Sequence, residues 1–358
     1  MLVPFGHNIK LEICGGSHDP EISMTLSGLP AGIPIDRGAL QAFMARRAPG
    51  QNAWSSPRRE ADVPEFLGGM IERDMLLYTD GTPIQARILN TNVRSTDYQG
   101  DVPRPGHADL AARLKYGEGV DLRGGGHFSG RLTALTCLAG GICLQYLQTR
   151  GIRIGAHALA IGGVFDSPLA PVSNEIPVFA QADFPTYSKT AGECMRAKIA
   201  EVHAMGDSVG GVIECKIISL PAGLGEHMFR SVESAISQAV WSIPAVKGIS
   251  FGAGFDVADM RGSQNNDAIF TDGTQIYTET NNAGGVLGGM TYGMPVLFTV
   301  AVKPTPSIAM EQQSISFSRM ENTMLAIKGR HDPCIVPRAV PVVEAAAALA
   351  MTDLLLDT

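Results

Sequence analysis

The alternation of apolar and polar positions divides the chain into helices and strands along most of its length. Apolar residues recur at helical spacing from Arg37 to about Ala48, behind Asp36, a suitable N-cap, and Pro49-Gly50 stops the run. The same reading predicts helices from about Arg131 to Arg150, ended by Gly151, from Glu193 to Met205, and from Ser231 to Ser242. Runs rich in branched apolar residues predict strands over Ile22 to Leu26, Ile84 to Leu89, Ile152 to Ile161, Val209 to Leu220 and Val296 to Val302. At the C-terminal end, Val342 to Leu356 is rich in Ala and Leu without internal Pro or Gly, and Pro341 suits a first helical position, so a buried helix is expected there. The mixture is α/β (α+β) in class. No strand leads through G-x-G-x-x-G into a helix, which excludes a Rossmann dinucleotide site. Segments 4–6, 95–107 and 256–282 read as loops, the last of a length that is usually functional or disordered. No linker or internal repeat divides the chain, so residues 1–358 are expected to form one domain.

Composition narrows the setting. A hydrophobic content of 45% supports a full core, and no apolar run reaches the ~18 residues that a membrane span requires. The start, Met1 to His7, lacks the basic and apolar segments of a secretory signal, so the cytoplasm is the expected compartment. Cysteines 14, 137, 143, 194, 215 and 334 show no CxxC spacing and read as reduced core residues and not as a disulfide frame or zinc site. A net charge of -7 argues against a nucleic-acid partner. The stretch from Arg37 to Arg131 nevertheless holds 13 of the 28 basic residues, where an even spread would give about 7, and 12 of them are Arg. Eleven acids share that stretch, so it is no basic tail; rigid guanidinium forks suit a small polyanionic ligand, although surface arginine would give the same count.

Candidate chemistry lies in three turns. Gly329-Arg330-His331-Asp332-Pro333-Cys334 sets a forked cation, an imidazole, a carboxylate and a thiol between residues that forbid an ordinary helix. His18 lies in Gly15-Gly16-Ser17-His18-Asp19-Pro20 and His107 in Arg104-Pro105-Gly106-His107, both among turn formers that can aim an imidazole into a cleft. His331 is read as structural, and His7, His157, His203 and His227 carry no signal.

Taken in order, these segments resemble the chorismate synthase family. The resemblance runs from Gly15 to His18 through Leu29 to Pro34, Arg46 to Gln51, Pro57 to Glu60, Asn92 to Tyr98, Arg104 to Asp109 and Gly124 to Arg131. It continues through Gly206 to Ser208, Ser242 to Gly248, Gly284 to Gly289 and Lys303 to Ile308 to the Arg330 loop, and so covers essentially the whole chain. It implies a β-α-β-α sandwich assembled as a homotetramer. It also implies conversion of 5-enolpyruvylshikimate 3-phosphate to chorismate, by an anti-1,4 elimination of phosphate that requires reduced FMN without net redox change. By resemblance His107 protonates or stabilises the reduced flavin, His18 assists the departing phosphate, and Asp332 helps the flavin take up the ring proton. Arg47, Arg59, Arg104 and Arg131 would meet the substrate. FMN contacts carried over are His127, Phe128, Ser129, Pro244, Ala245, Gly288, Lys303, Pro304, Thr305, Pro306, Ser307 and Arg330.

The chain departs from the family at several positions. Most members have Glu at the position of Gly16 and Gly at that of Asp19, many have Arg-Ser-Ser-Ala-Arg-Glu where this chain has His127 to Leu132, and Ala48 replaces the third Arg of a common triplet. Ala53 stands where some members carry an Arg linked to nucleotide binding, which weakens NADPH-dependent flavin reduction by the chain itself and leaves the supply to a separate flavin reductase or another reduced-flavin source. The Gly16 and Asp19 changes leave open a diverged paralogue eliminating another phosphate, and a non-catalytic flavin-binding scaffold is a further alternative.

Overall fold

The structure, a computed structural model, describes residues 4–50, 61–74, 76–91, 100–177, 184–327 and 331–357. Arg59 and Arg330, together with the segments 51–60 and 92–99, lie outside the described residues.

Two antiparallel sheets enclose a layer of helices. The first has strands β1 (Lys10–Gly15), β2 (Glu21–Ser27), β3 (Glu65–Gly68) and β4 (Ile84–Leu89) in the order β1-β2-β4-β3. Its period-two pattern is one-sided: Ile22, Met24, Leu26, Ile84, Ala86 and Ile88 are buried, while Arg87 bridges Glu21 and Glu65 across strands on the solvent face. The second sheet has β5 (Arg153–Ile161), β6 (Val164–Phe165), β7 (Gly211–Ile218), β8 (Val246–Phe251) and β9 (Val296–Val302) in the order β8-β9-β7-β5-β6. Every strand pairing among the described residues is antiparallel, in keeping with the missing Rossmann turn.

Between the sheets pack α1 (Arg37–Arg47), α3 (Thr133–Gln148), α5 (Val232–Trp241) and α6 (Val336–Leu355); α2 (Asp109–Tyr116) follows the His107 turn, and α4 (Lys189–Ala204) packs on β5 and β6. Asp36 caps α1 as expected, its side chain accepting from the Ala39 N–H at 3.0 Å. Helix α6 is buried on all sides, the state expected of a helix apolar all round. Its start differs from the sequence expectation: it begins at Val336, Pro337 takes the N-terminal position, and Pro341 falls inside the helix. Buried polar groups fix α6 in place. Glu344 grips Arg46 with both oxygens and accepts from the Ala156 N–H, while Asp353 accepts from the backbone N–H groups of His7, Asn8 and Ile9. Desolvation lowers the Arg46 pKa, but Glu344 outweighs it, so the guanidinium is held above its ordinary value.

On the far face of the second sheet His157 is fully buried, with Nε2 2.8 Å from Glu214 and Nδ1 3.3 Å from Asp166. Asp166 in turn accepts from the N–H groups of Tyr187 and Ser188, so this histidine ties a long excursion to the sheet. The supposed loop at 256–282 holds a short helix, Gly262–Asn265, and a hairpin of Ile269–Thr271 with Ile276–Thr278. The hairpin β10 (Gln312–Ser316) and β11 (Glu321–Leu325) holds the segment before His107, Ser314 donating to the Pro103 carbonyl and Ser316 to Asp101.

Candidate active site

The turns singled out in the sequence converge on one cavity of about 670 Å³, within the range of small-molecule sites. Its wall includes His18, His107, Asp332, His127, Phe128, Ser129, Pro244, Ala245, Lys303, Thr305, Pro306, Ser307, Arg47, Arg104 and Arg131. Pro304 is part of the same strand exit but not of the wall. Gly288 lies apart, in the tight hairpin of Val286–Leu287 and Met290–Thr291, where the neighbouring Gly289 carbonyl accepts from the Val232 N–H. It is not part of this chain's cavity wall, where the sequence reading expects it.

Local chemistry explains how each turn presents its side chain. Arg104-Pro105-Gly106-His107 closes with His107 N–H donating to the Arg104 carbonyl at 3.2 Å, and Gly106 has φ 73°, as a type II turn with Pro second and Gly third requires. His107 Nε2 then lies 2.7 Å from Ser307 Oγ. Burial, and after it the Arg104 guanidinium, push His107 down to about 4, so the imidazole is neutral near pH 7 until negative charge enters the cavity. Lys303 Nζ donates to the Gly106 carbonyl at 2.5 Å, and burial also lowers its pKa. His18 rests against Gly124, where a Cβ would come within 2.4 Å of the ring and φ is +59°; only glycine lets the backbone approach so closely. Ser17 N–H donates to Gly126 O at 3.0 Å, locking the His18 turn onto the glycine run. Asp19 is exposed, and its carboxylate turns back to within 3.3 Å of where a Gly16 Cβ would stand. Beyond the glycines the His127 and Phe128 rings sit 4.2 Å apart, with Tyr116 edge-on to His127 at 5.9 Å.

The arginines form the most ordered part of the wall. Arg47 donates from Nε to Thr133 Oγ1, from Nη1 to Asp62 at 2.7 Å and from Nη2 to the Gly130 carbonyl. Arg131 pairs with the other oxygen of Asp62 and donates from Nε to Asn90 Oδ1 at 2.9 Å. Asp62, with φ +48°, is thus shared between two buried guanidiniums. Arg104 is gripped by both oxygens of Asp109, at 2.7 and 2.8 Å. Burial opposes ionisation of Asp109, but the Arg104 fork outweighs it and holds the carboxyl below the usual range. Asp332 pairs with Arg338, in the first turn of α6, and Arg338 Nε donates to the Arg47 carbonyl. Burial lowers the pKa of Arg338, and Asp332 pulls it the other way.

Sequence reading missed Asp62, Asn90, Arg338 and His331. His331 lines the cavity next to Asp332, which is tied to Arg338, while Cys334 of the same turn is buried. Its place beside the Arg330 turn was the one available signal; nothing in the sequence marks Asp62 or Asn90. Among the described residues five cations face the cavity, Arg47, Arg104, Arg131, Lys303 and Arg338, against three carboxylates in contact with them. The cavity therefore keeps positive charge for an anion.

A pre-organised anion cavity that carries several histidines in an antiparallel two-sheet sandwich defines the class: an enzyme site for a polyanionic small molecule. The chorismate synthase family model matches residues 9–356. The chain therefore belongs to the chorismate synthase family. It is 42% identical to the chorismate synthase of Lancefieldella parvula, over 99% of this chain and 96% of that protein. The chorismate synthase of Dehalococcoides mccartyi is also 42% identical, over 98% and 96% of the two chains. A crystal structure of chorismate synthase superposes with a TM-score of 0.76 at 28% identity, over 98% of this chain and 93% of that one. These matches bear out the family and the fold expected from the sequence. No helix among the described residues is long and apolar enough to cross a membrane.

Proposed function

We propose that the chain removes phosphate and a ring proton from 5-enolpyruvylshikimate 3-phosphate to give chorismate, with reduced FMN bound beside the substrate. As a member of the chorismate synthase family it is a lyase of the shikimate pathway. The observation that carries the finer reading is the meeting of His18, His107 and Asp332 in one cavity with Arg47, Arg104 and Arg131. A phosphate and two carboxylates on one small substrate match a wall in which cations outnumber carboxylates.

The residues present fit a flavin: a roomy wall, the paired His127 and Phe128 rings, the Lys303 ammonium and the tightly turned Pro244-Ala245 backbone. We assign the holding of FMN to His127, Phe128, Ser129, Pro244, Ala245, Lys303, Thr305, Pro306 and Ser307, with Pro304 shaping the turn and Arg330 completing the set. When bound, reduced flavin supplies electron density to the substrate as the phosphate departs. Arg47, Arg59 and Arg131 orient the substrate's anionic groups, and burial, with the Arg104 guanidinium after it, keeps His107 neutral while the cavity is empty of negative charge. An anion that offsets Arg104 would raise the basicity of His107, which would then hold a proton at Nε2 or Nδ1 on the flavin side of the cavity. His18 assists the leaving phosphate. Asp332, fixed by Arg338, serves removal of the ring proton.

We further propose that residues 1–358 act as one domain, that four copies assemble, and that a separate reductase supplies the flavin in the cytoplasm. The exposed Phe229, Phe255 and Ile269 offer apolar surface for assembly. The deciding experiment is an anaerobic assay of the purified protein with dithionite-reduced FMN and 5-enolpyruvylshikimate 3-phosphate, following chorismate absorbance. Chorismate is expected only with reduced FMN, many turnovers per flavin. Turnover with oxidised FMN and no reductant, or one flavin oxidised per product, would refute the mechanism.

A further inference from the structure

Asn90 follows β4 directly, and its bonds join two parts of the cavity. Its backbone N–H donates to the Pro20 carbonyl at 2.9 Å. Its side-chain Nδ2 donates to the carbonyls of Gly16, at 3.2 Å, and Asp19, at 2.7 Å, one on each side of His18. Its Oδ1 accepts from Arg131 Nε at 2.9 Å. Only one orientation of the amide satisfies these partners, because two carbonyls need the NH2 and a guanidinium needs the oxygen. No other neutral side chain of this length both donates and accepts in this way.

We propose that Asn90 is a positioning residue that holds His18 in register with Arg131, so that the guanidinium receiving the substrate's anion and the imidazole assisting the leaving phosphate form one unit. The assignment of roles to His18 and Arg131 rests on the proposed reaction; the bonding pattern does not. Without the Asn90 side chain the His18 turn keeps its strands, β1 and β2, and the Ser17 bond to Gly126, but loses both carbonyl anchors that flank the histidine. A displacement on the order of 1 Å at a reacting group costs about 10²-fold in rate. Asp62 continues to hold Arg131, so anion binding survives the change.

The test compares Asn90→Ala and Asn90→Asp in the full protein. Ala removes all the side-chain bonds; Asp keeps an acceptor for Arg131 but has no donor for the two carbonyls. Both variants are expected to lower kcat by about tenfold or more, and Asn90→Ala to leave KM within about threefold. In a His18→Ala background Asn90→Ala should cost less than about twofold further, because its effect acts through that histidine. Multiplying losses in the double variant overturn the proposal. A second arm reads His18 directly, in protein with 13C-labelled histidine rings. The His18 resonance, assigned by its loss in His18→Ala, should move in both Asn90 variants while that of His107, held by another turn, stays. An unmoved His18 resonance overturns the proposal. If the unmodified protein forms no chorismate, the proposed reaction fails, and the histidine spectrum decides the positioning by itself.

Discussion

Asp62→Asn isolates the charge that holds the anion site together. The Asp62 side chain is 0% exposed, and its partners Arg47 and Arg131 are 6% and 3% exposed. Asn preserves the shape and one acceptor oxygen, and tolerates the left-handed φ of +48° as Asp does, so the backbone is not newly strained. What is lost is the negative charge between two buried cations. At an effective dielectric of about 20 each contact is worth roughly 4 kcal/mol, and the carboxylate's own desolvation offsets much of that. Breaking a buried pair by removing one partner costs about 3–5 kcal/mol, and that is the destabilisation expected in low-salt urea denaturation. Inorganic phosphate should recover part of it, since an anion in the cavity can take over the neutralising role at Arg47 and Arg131. An Asn variant as stable as the parent to within about 0.5 kcal/mol, or equal stabilisation of both proteins by phosphate, would refute the reasoning.

Further outcomes follow from the same geometry. His107 lies below its ordinary value, at about 4 against 6.5, so its contribution to stability is complete above pH 6.5 and is lost as pH falls toward 4, where the unfolded chain takes up a proton that the folded chain refuses. Discounted for partial exposure, the loss is about 1–3 kcal/mol, and denaturation midpoints of His107→Gln should lack that part of the pH slope. Gly124→Ala would set a methyl 2.4 Å from the His18 ring at a φ of +59°, and should cut kcat by at least about tenfold in the chorismate assay with secondary structure intact by circular dichroism. His18→Ala, His107→Ala and Asp332→Ala should each lower kcat by about 10²-fold or more in the same assay; normal rates in all three would remove the catalytic assignment. Arg47→Lys should raise KM and recover only part of what Arg47→Ala loses, since an ammonium cannot reach Asp62, Thr133 and Gly130 together.

The repeating patterns of the chain determined its secondary structure well. Asp36 is a true N-cap, Ile84–Leu89 and Val296–Val302 are strands at the predicted bounds, and the apolar C-terminal run is the most enclosed helix. These signals are local, because a capping oxygen or a period of two acts within a few residues. The same holds for the histidine turns, where Gly and Pro dictate backbone shape: Pro105 and Gly106 specify the turn that presents His107. The start of α6 was misjudged because Pro341 suits a helix's first turn, while packing carried the helix back to Val336 and left that proline inside it. What sequence could not supply are partners distant along the chain. Asp62 finds Arg131 and Asn90 finds Gly16 only when β4, the His18 turn and the start of α3 come together, and a lone Asp or Asn in a polar stretch gives no sign of it. Gly288 shows the reverse, a local motif that the fold carries away from the cavity. Local rules set which elements form and which side chains are presented, whereas the pairing of buried charges was decided by tertiary packing, because only burial makes an unpaired charge costly enough to select its partner.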